Sequence, residues 1–187
     1  MRKLEHLRGT HLRRRQRLLS NLVDISRLDF GDVTPHPTDF AVAPLFEDLH
    51  REFAGLATTK GLDFLIDTPT ARVHSDPLLV SKILQHLVSN AVTYTYGGSV
   101  RVRCAPDAAQ VRIEVLDTGI GIAADQLPHI YDQFYQVGGT DRARESYGLG
   151  LSVVRRLVSL LAAQIEVHSE VGRGSAFSLL LPAIPSA

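Results

Sequence analysis

Residues 115–122 read VLDTGIGI: an apolar run, one acid at Asp117, then Gly119 and Gly121 with one residue between them. The acid closes the stretch QVRIEVLD (110–117), whose period-two alternation predicts a half-buried strand. A carboxylate at a strand end, followed at once by two glycines, admits two readings. Asp and Gly are the commonest turn residues, so this could be a plain strand-to-loop turn. It could equally be a loop kept open for a ligand. The surrounding chain has to choose.

Working outward, SVRVRC (99–104) alternates in the same way, and Gly97-Gly98 mark the turn before it. QIEVHSE (164–170) and SAFSLLLP (175–182) read as a closing strand pair joined through VGRG, and LDFLID (62–67) as a further strand. Helical patterns separate them. FAVAPLFEDLHREFAGLATTKG (40–61) puts Leu45, Leu49, Phe53 and Leu56 on one stripe, closed by Gly61. SDPLLVSKILQHLVSNAV (75–92) opens with a Ser75/Asp76 cap region and Pro77 in its first turn. LGLSVVRRLVSLLA (149–162) is another helix. Upstream, residues 10–29 read as an amphipathic helix with Leu18, Leu22 and Ile25 on one stripe, broken by Gly31, Pro35 and Pro37. The predicted fold is an α/β (α+β) two-layer sandwich, one mixed sheet with helices on one face, preceded by an α-helical segment. The stretch QVGGTDRARESY (136–147) has no core pattern and reads as a long mobile loop; such a loop inside a compact domain is usually a functional lid or disorder.

The 187 residues are 44% hydrophobic and 21% charged, which suits a soluble globular chain. Formal net charge is zero, so no strong overall field favours nucleic acid. Residues 1–17 nevertheless hold seven Lys/Arg against one acid, Glu5, so the remainder carries a formal −6. A basic segment of this kind suits a solvated helix face or contact with phosphate or anionic lipid. The one cysteine, Cys104, rules out an internal disulfide and suits a reducing compartment; its place in a strand predicts an inert thiol. No apolar run approaches the ~20 residues that span a bilayer.

Two places can carry chemistry. His86 and Asn90 are four apart and share a helix face beside the apolar Leu84, Leu87, Val88 and Ala91. Asn90 could cap a turn or hydrogen-bond within the core; alternatively its amide oxygen faces a pocket and binds Mg²⁺, a hard ion that takes oxygen ligands. In SYGLGLSVVRRL (146–157), Gly148 and Gly150 precede a helix start, where exposed amides and the helix dipole favour phosphate. The stretch is neither a P-loop, lacking Gly-Lys-Ser/Thr, nor a dinucleotide fingerprint.

Asn90 in a helix, DTGIGI after a strand, IYDQFYQ after that, and GLGLSVV opening a helix together resemble the catalytic ATP-binding domain of sensor histidine kinases. These belong to the Bergerat-fold group, which also holds gyrase-type and mismatch-repair ATPases. The resemblance covers roughly residues 39–183, and EVGRGSAFSLLLP matches the family's closing hairpin. Upstream, LLSNLVDISRLDFGDVTPHPTDF is similar to the second helix of the dimerisation hairpin and its exit linker. The implied organisation is a partial hairpin helix over 1–30, a linker over 31–38 and a catalytic domain over 39–187.

The resemblance implies ATP and Mg²⁺ as cofactors. Asp117 would accept a hydrogen bond from the adenine amine, and an ionised carboxylate can only accept, which selects adenine over guanine. Gly119 and Gly121 would let the backbone close on the nucleotide without a Cβ in the way. Asn90 would hold Mg²⁺, Tyr94 would border the nucleotide, 136–147 would be the ATP lid, and Gly148, Leu149 and Gly150 would cradle phosphate. Phe134 and Tyr135 would anchor the base of the lid; as bare aromatics, simple core packing is their first reading. The implied partners are a response-regulator receiver domain and the chain's own hairpin in a homodimer. The implied location is cytoplasmic, including the cytosolic part of a membrane-bound sensor.

Three departures from the family pattern stand out. None of the eight histidines has the phosphoacceptor context; His6 and His11 sit where the second hairpin helix should begin, so self-phosphorylation is not expected. His86 stands where these kinases usually carry Asn and the hydrolytic relatives carry a water-activating Glu. An imidazole there could ligate the ion, act as a catalytic base because it titrates near neutrality, or be a tolerated substitution. Thr93 stands where a Lys or Arg usually reaches the phosphates; Arg142 or Arg144 of the lid would supply that charge. The leading expectation is a histidine kinase domain that moves the γ-phosphoryl of Mg·ATP to a histidine absent from this chain. The alternative is a non-catalytic interaction module that retains the fold.

Overall fold

The computed structural model describes residues 19, 21–137 and 147–184. Its main sheet has five strands in the order β2 (Asp63–Ile66), β4 (Ser99–Asp107), β5 (Gln110–Asp117), β7 (Gly174–Pro182), β6 (Gln164–Glu170). β2 and β4 are parallel and the remaining pairs antiparallel, so the sheet is mixed as expected. The parallel pair needs a long crossover, and helix α3 (Pro77–Tyr94) supplies it. One face of the sheet buries Val100, Val102, Val111, Ile113, Val115, Phe177, Leu179 and Leu181. The alternate positions carry Arg101, Arg112 and Glu166 on the open face, where Arg112 reaches Glu166 at 2.6 Å. This is the apolar-in, polar-out alternation of a sheet covered on one side.

Helix α3 is the spine of the helical layer. Asp76 starts it by accepting from the Leu78 and Leu79 amides at 2.9 and 3.0 Å, with Pro77 in the first turn. The other Asp76 oxygen accepts from the His36 amide at 2.8 Å, so one buried carboxylate fixes both the helix start and the segment leading into the domain. Val80, Ile83, Leu84, Leu87, Val88, Ala91 and Val92 form its buried stripe. Helices α2 (Ala43–Lys60) and α4 (Gly150–Leu160) pack on either side.

Helix α2 begins later than the sequence pattern predicts. Phe40 and Ala41 belong to β1 (Thr38–Ala41), which pairs antiparallel with β3 (Arg72–Ser75) in a separate two-stranded sheet. Leu56 is 37% exposed; the stripe is completed by Phe46 and Ala57, because 3.6 residues per turn carries Leu49 and Phe53 on to position 57. Gly61 ends α2 in the left-handed conformation at φ +70°, as expected of a C-terminal glycine.

The N-terminal helix α1 is described over residues 21–29, and its earlier predicted turns lie outside the described residues. It docks on the domain through buried Ile25 and partly buried Leu28. Asp24 pairs with Lys82 of α3 at 2.6 Å, and Asp29 takes Arg156 of α4 with both oxygens, at 2.6 and 3.2 Å. Among the described residues, no helix is long and apolar enough to cross a membrane.

Candidate functional site

The site is built along α3. At its C-terminal end, the Tyr94 carbonyl accepts from the Ile120 amide at 3.3 Å, which ties the loop after β5 to the helix. Asn90 and His86 lie one and two turns back, roughly 6 and 12 Å along the axis at 1.5 Å per residue. The strand end meets α3 at Tyr94, and the glycine-rich entry to α4 meets the same helix at His86 and Asn90.

Asp117 is the last residue of β5, held between Val100 of β4 and Ser175 of β7. Its Oδ1 accepts from the Gly119 amide at 2.8 Å, which closes the turn on the side chain itself. Burial pushes the Asp117 carboxyl above the usual carboxylate range, and hydrogen bonds from the Gly119 and Ser175 backbone oppose that shift without overcoming it. A partly desolvated acceptor of this kind gains from a ligand donor in a way a solvated one does not.

The two glycines after it are required by the protein's own packing. A Cβ on Gly119 would stand 2.5 Å from the Tyr94 carbonyl oxygen and 2.8 Å from Asp117 Oδ1. A Cβ on Gly121 would stand 2.0 Å from the Glu170 carbonyl oxygen, and Gly121 has φ +67°. The sequence reading assigned their need to a ligand; the described contacts assign it to α3 on one side and the β6–β7 turn on the other. Ile122 adds a further tie, its amide donating to Ser169 Oγ at 2.8 Å.

Further back along α3, α4 starts at Gly150 with buried Leu149 at its N-cap and no side-chain cap. Ser152 does not fill that role, because its hydroxyl donates to the Leu149 carbonyl at 2.8 Å. The first intrahelical bond runs from Val153 to Leu149, leaving the amides of 150–152 pointing out of the helix. The contrast with α3 is physical: its start is capped by the Asp76 side chain, and the start of α4 has no side-chain cap.

Gly150 joins this terminus to α3. A Cβ there would lie 3.5 Å from His86 Nδ1, 3.6 Å from Asn90 Oδ1 and 3.8 Å from Asn90 Nδ2, so both predicted side chains face the uncapped turn. Gly148 has a different reason. It has φ +65°, and a Cβ would stand 2.4 Å from the Tyr135 carbonyl oxygen. Its own carbonyl accepts from the Phe134 amide at 2.9 Å, which ties positions 134 and 148 together. Phe134 is 62% exposed at φ +64°, which overturns core packing as its reading. Tyr135 is partly buried, with its ring 5.7 Å from that of His129. Arg142 and Arg144 lie outside the described residues.

One contributor has no local sequence signal. Helix α3 carries no basic residue in its last turn. Lys60, at the end of α2, supplies the charge: its Nζ donates to the Val92 and Thr93 carbonyls at 2.6 and 2.8 Å and lies 5.4 Å from the Tyr96 ring centre. It steadies the turn that carries Tyr94. Cys104 lies in β4 as expected, and burial pushes its thiol up to about 11.

Comparison with known proteins bears directly on this arrangement. The family model described as "Histidine kinase-, DNA gyrase B-, and HSP90-like ATPase" matches residues 75–185, from the last residue of β3 to just beyond β7. The chain belongs to this family. Within it, the similarity is to sensor kinases. The autoinducer 2 sensor kinase/phosphatase LuxQ of Vibrio cholerae is 35% identical over 173 residues, covering 88% of this chain and 20% of LuxQ. The virulence sensor protein BvgS of Bordetella bronchiseptica is 35% identical over 171 residues, covering 87% of this chain and 14% of BvgS. Full-length ShkA in complex with AMPPNP superposes with a TM-score of 0.80 at 25% identity, over 96% of this chain and 37% of ShkA. The histidine kinase AdeS of Acinetobacter baumannii shares the fold, with a TM-score of 0.73 at 20% identity over 89% of this chain and 77% of that one. The chain spans about a fifth of the length of the curated relatives it matches. As a member of the family, it is an ATP-binding domain of the sensor histidine kinase type.

Proposed function

We propose that this domain binds Mg·ATP along α3 and delivers the γ-phosphoryl to a histidine on a helical hairpin, as the catalytic part of a two-component sensor kinase. One observation carries the reading: the uncapped start of α4 meets Asn90 and His86 at Gly150, one to two turns from the loop that holds Asp117. An acceptor for a base at one end and free amides for phosphates at the other fit a nucleoside triphosphate. A docking module needs neither, so the non-catalytic alternative is not favoured.

Asp117 accepts from the adenine amine, and its burial excludes water that would compete for that bond. Tyr94 borders the nucleotide, and its carbonyl anchors the 117–121 loop. Gly119 and Gly121 hold that loop close to α3 and the β6–β7 turn. Gly148, Leu149 and Gly150 present the first-turn amides of α4 to the phosphates. Asn90 offers an amide oxygen, a donor that would hold Mg²⁺, and the ion would supply charge neutralisation at the phosphates. Residues 136–147 are the ATP lid of this reading, and Arg142 or Arg144 supplies the cation that Thr93 does not. The chain's contribution to transfer is positioning and charge, since phosphoryl transfer leaves little covalent work to the protein.

Residues 1–30 belong to the second helix of a dimerisation hairpin, 31–38 to a linker and 39–187 to the catalytic domain. A receiver domain takes the phosphoryl from the hairpin histidine, and the intact protein is a homodimer whose catalytic part lies in the cytoplasm. The test is transfer of label from γ-labelled ATP to a separately supplied hairpin that carries a phosphoacceptor histidine. Labelling that depends on Asn90 supports the reading. No labelling by a sample with nucleotide shown bound contradicts the kinase assignment.

A further inference from the structure

Ser169 lies in β6, outside the groups assigned to the nucleotide above, yet its hydroxyl ties together the pieces that hold Asp117. It accepts from the Ile122 amide at 2.8 Å, donates to the Gly174 carbonyl at 3.0 Å and lies 2.9 Å from Ser175 Oγ. A hydroxyl has one proton and two lone pairs. The proton goes to the Gly174 carbonyl, which can only accept, so the Ser175 hydroxyl donates to Ser169. Every bonding position of the Ser169 hydroxyl is then filled, in a partly buried setting.

The three partners converge on one carboxylate. Ile122 ends the loop that Asp117 begins. Ser175 is the register partner of Asp117 across β5 and β7, and its backbone hydrogen-bonds the Asp117 carboxyl. Gly174 packs so closely that a Cβ there would stand 1.9 Å from the Asp117 carbonyl oxygen. The loop has backbone ties at Ile120, to Tyr94 and to Gly172, and these hold its middle. The Ser169 side chain joins its far end to the residues that touch Asp117. We propose that Ser169 is a positioning residue for base selection: its hydroxyl fixes the 117–122 loop against the start of β7, so that the Asp117 carboxylate meets the exocyclic amine of adenine.

A role in fold stability alone predicts something different. A hydroxyl that only steadies the β6–β7 hairpin weakens every nucleotide alike, or none. A hydroxyl that positions Asp117 matters only to a ligand carrying the amine that Asp117 reads. Removing it leaves the Ile122 amide and the Ser175 hydroxyl without their acceptor and the Gly174 carbonyl without that donor. The loop end and the start of β7 are then free to part. The first turn of α4 takes no bond from Ser169, so the phosphate end of the site is left as it was. The proposal rests on the ATP-site reading above, and its test separates the two.

The experiment uses the full chain with ADP and with purine riboside diphosphate, which lacks the amine; neither carries a γ-phosphoryl, so no turnover enters the readout. Calorimetry on the parent, Ser169→Ala and Ser169→Thr gives the ratio of the two affinities. The parent is expected to prefer ADP. In Ser169→Ala that preference is expected to fall about tenfold, the scale of one hydrogen bond to a charged group, with affinity for the analogue unchanged. Ser169→Thr keeps the hydroxyl and is expected to restore the preference. Amide exchange of the parent needs no variant to fold: at equal saturation, ADP is expected to slow Ile122 more than the analogue does. Four results overturn the proposal and leave the ATP site standing: an unchanged ratio in folded Ser169→Ala, an equal loss for both ligands, a Ser169→Thr no better than Ser169→Ala, or Ile122 protection that ignores the amine. A parent that binds both ligands alike overturns the proposal together with the base-reading role of Asp117. A folded parent that binds neither overturns the ATP-site reading as well.

Discussion

Asp117→Asn separates the two demands made on one side chain. Oδ1 of Asp117 accepts from the Gly119 amide at 2.8 Å, and the carbonyl oxygen of Asn can take over that bond, so the turn survives. The second oxygen becomes an NH₂ group and meets the adenine amine donor to donor. A hydrogen bond to a charged acceptor contributes roughly 1.5–3 kcal/mol. At 1.4 kcal/mol per decade, ATP affinity should fall by roughly 10- to 150-fold. Stability should move the other way. Burial raises the Asp117 pKa in the fold, so its ionised form is penalised there at neutral pH. Stability from a raised pKa is full below the unfolded value and is lost as pH rises through the folded value. The variant without nucleotide should therefore melt higher than the parent at neutral pH, and the gap should narrow on acidification. Calorimetry with ATP and thermal melts at neutral and mildly acidic pH read both effects. A variant that binds ATP as tightly as the parent refutes the adenine-reading role, and one that melts lower at neutral pH refutes the electrostatic argument.

Gly121→Ala places a Cβ 2.0 Å from the Glu170 carbonyl oxygen at a φ of +67°, and overpacking of this kind should cost ~1–3 kcal/mol or more in urea unfolding even without nucleotide. The Asp29 carboxyl is held below its ordinary range chiefly by its hydrogen bond from Arg156. The docking of α1 should therefore persist above the usual carboxylate range and weaken as pH falls through the lowered value, seen as faster hydrogen exchange over residues 21–29. Arg156→Ala should give that faster exchange at neutral pH. Cys104, with its thiol pushed up to about 11, should resist thiol reagents at pH 8 until the domain is unfolded.

The strands β4 to β7 and the start of α3 were legible because their signals are local. Period-two alternation marks QVRIEVLD and QIEVHSE, whose observed limits match the expectation. Asp76 and Pro77 mark a helix start within three residues. The pairing of β1 with β3 was not legible, since four-residue strands 30 or more positions apart carry no alternation of their own. Ser75 read as part of a helix cap, whereas it is the last residue of β3.

The site divides in the same way. The placement of Asp117 at a strand end, Asn90 within a helix and Gly150 at a helix start was readable because alternation, helix spacing and glycine placement are in the sequence. The reasons for Gly119, Gly121 and Gly148 were not, because the atoms they must avoid belong to Tyr94, Glu170 and Tyr135. Lys60 escaped notice for the same cause: its partners, the Val92 and Thr93 carbonyls, are 32 and 33 residues away.

The most direct test of the central claim is amide hydrogen exchange of the full chain with and without AMPPNP and a divalent ion. A nucleotide lying along α3 predicts slowed exchange in the 117–122 loop, around Asn90 and Tyr94, and at the first-turn amides of α4, with the open sheet face around Arg101 and Arg112 unchanged. Saturating AMPPNP that leaves the α4 first turn and the Asp117 loop exchanging at their free rates would contradict the account.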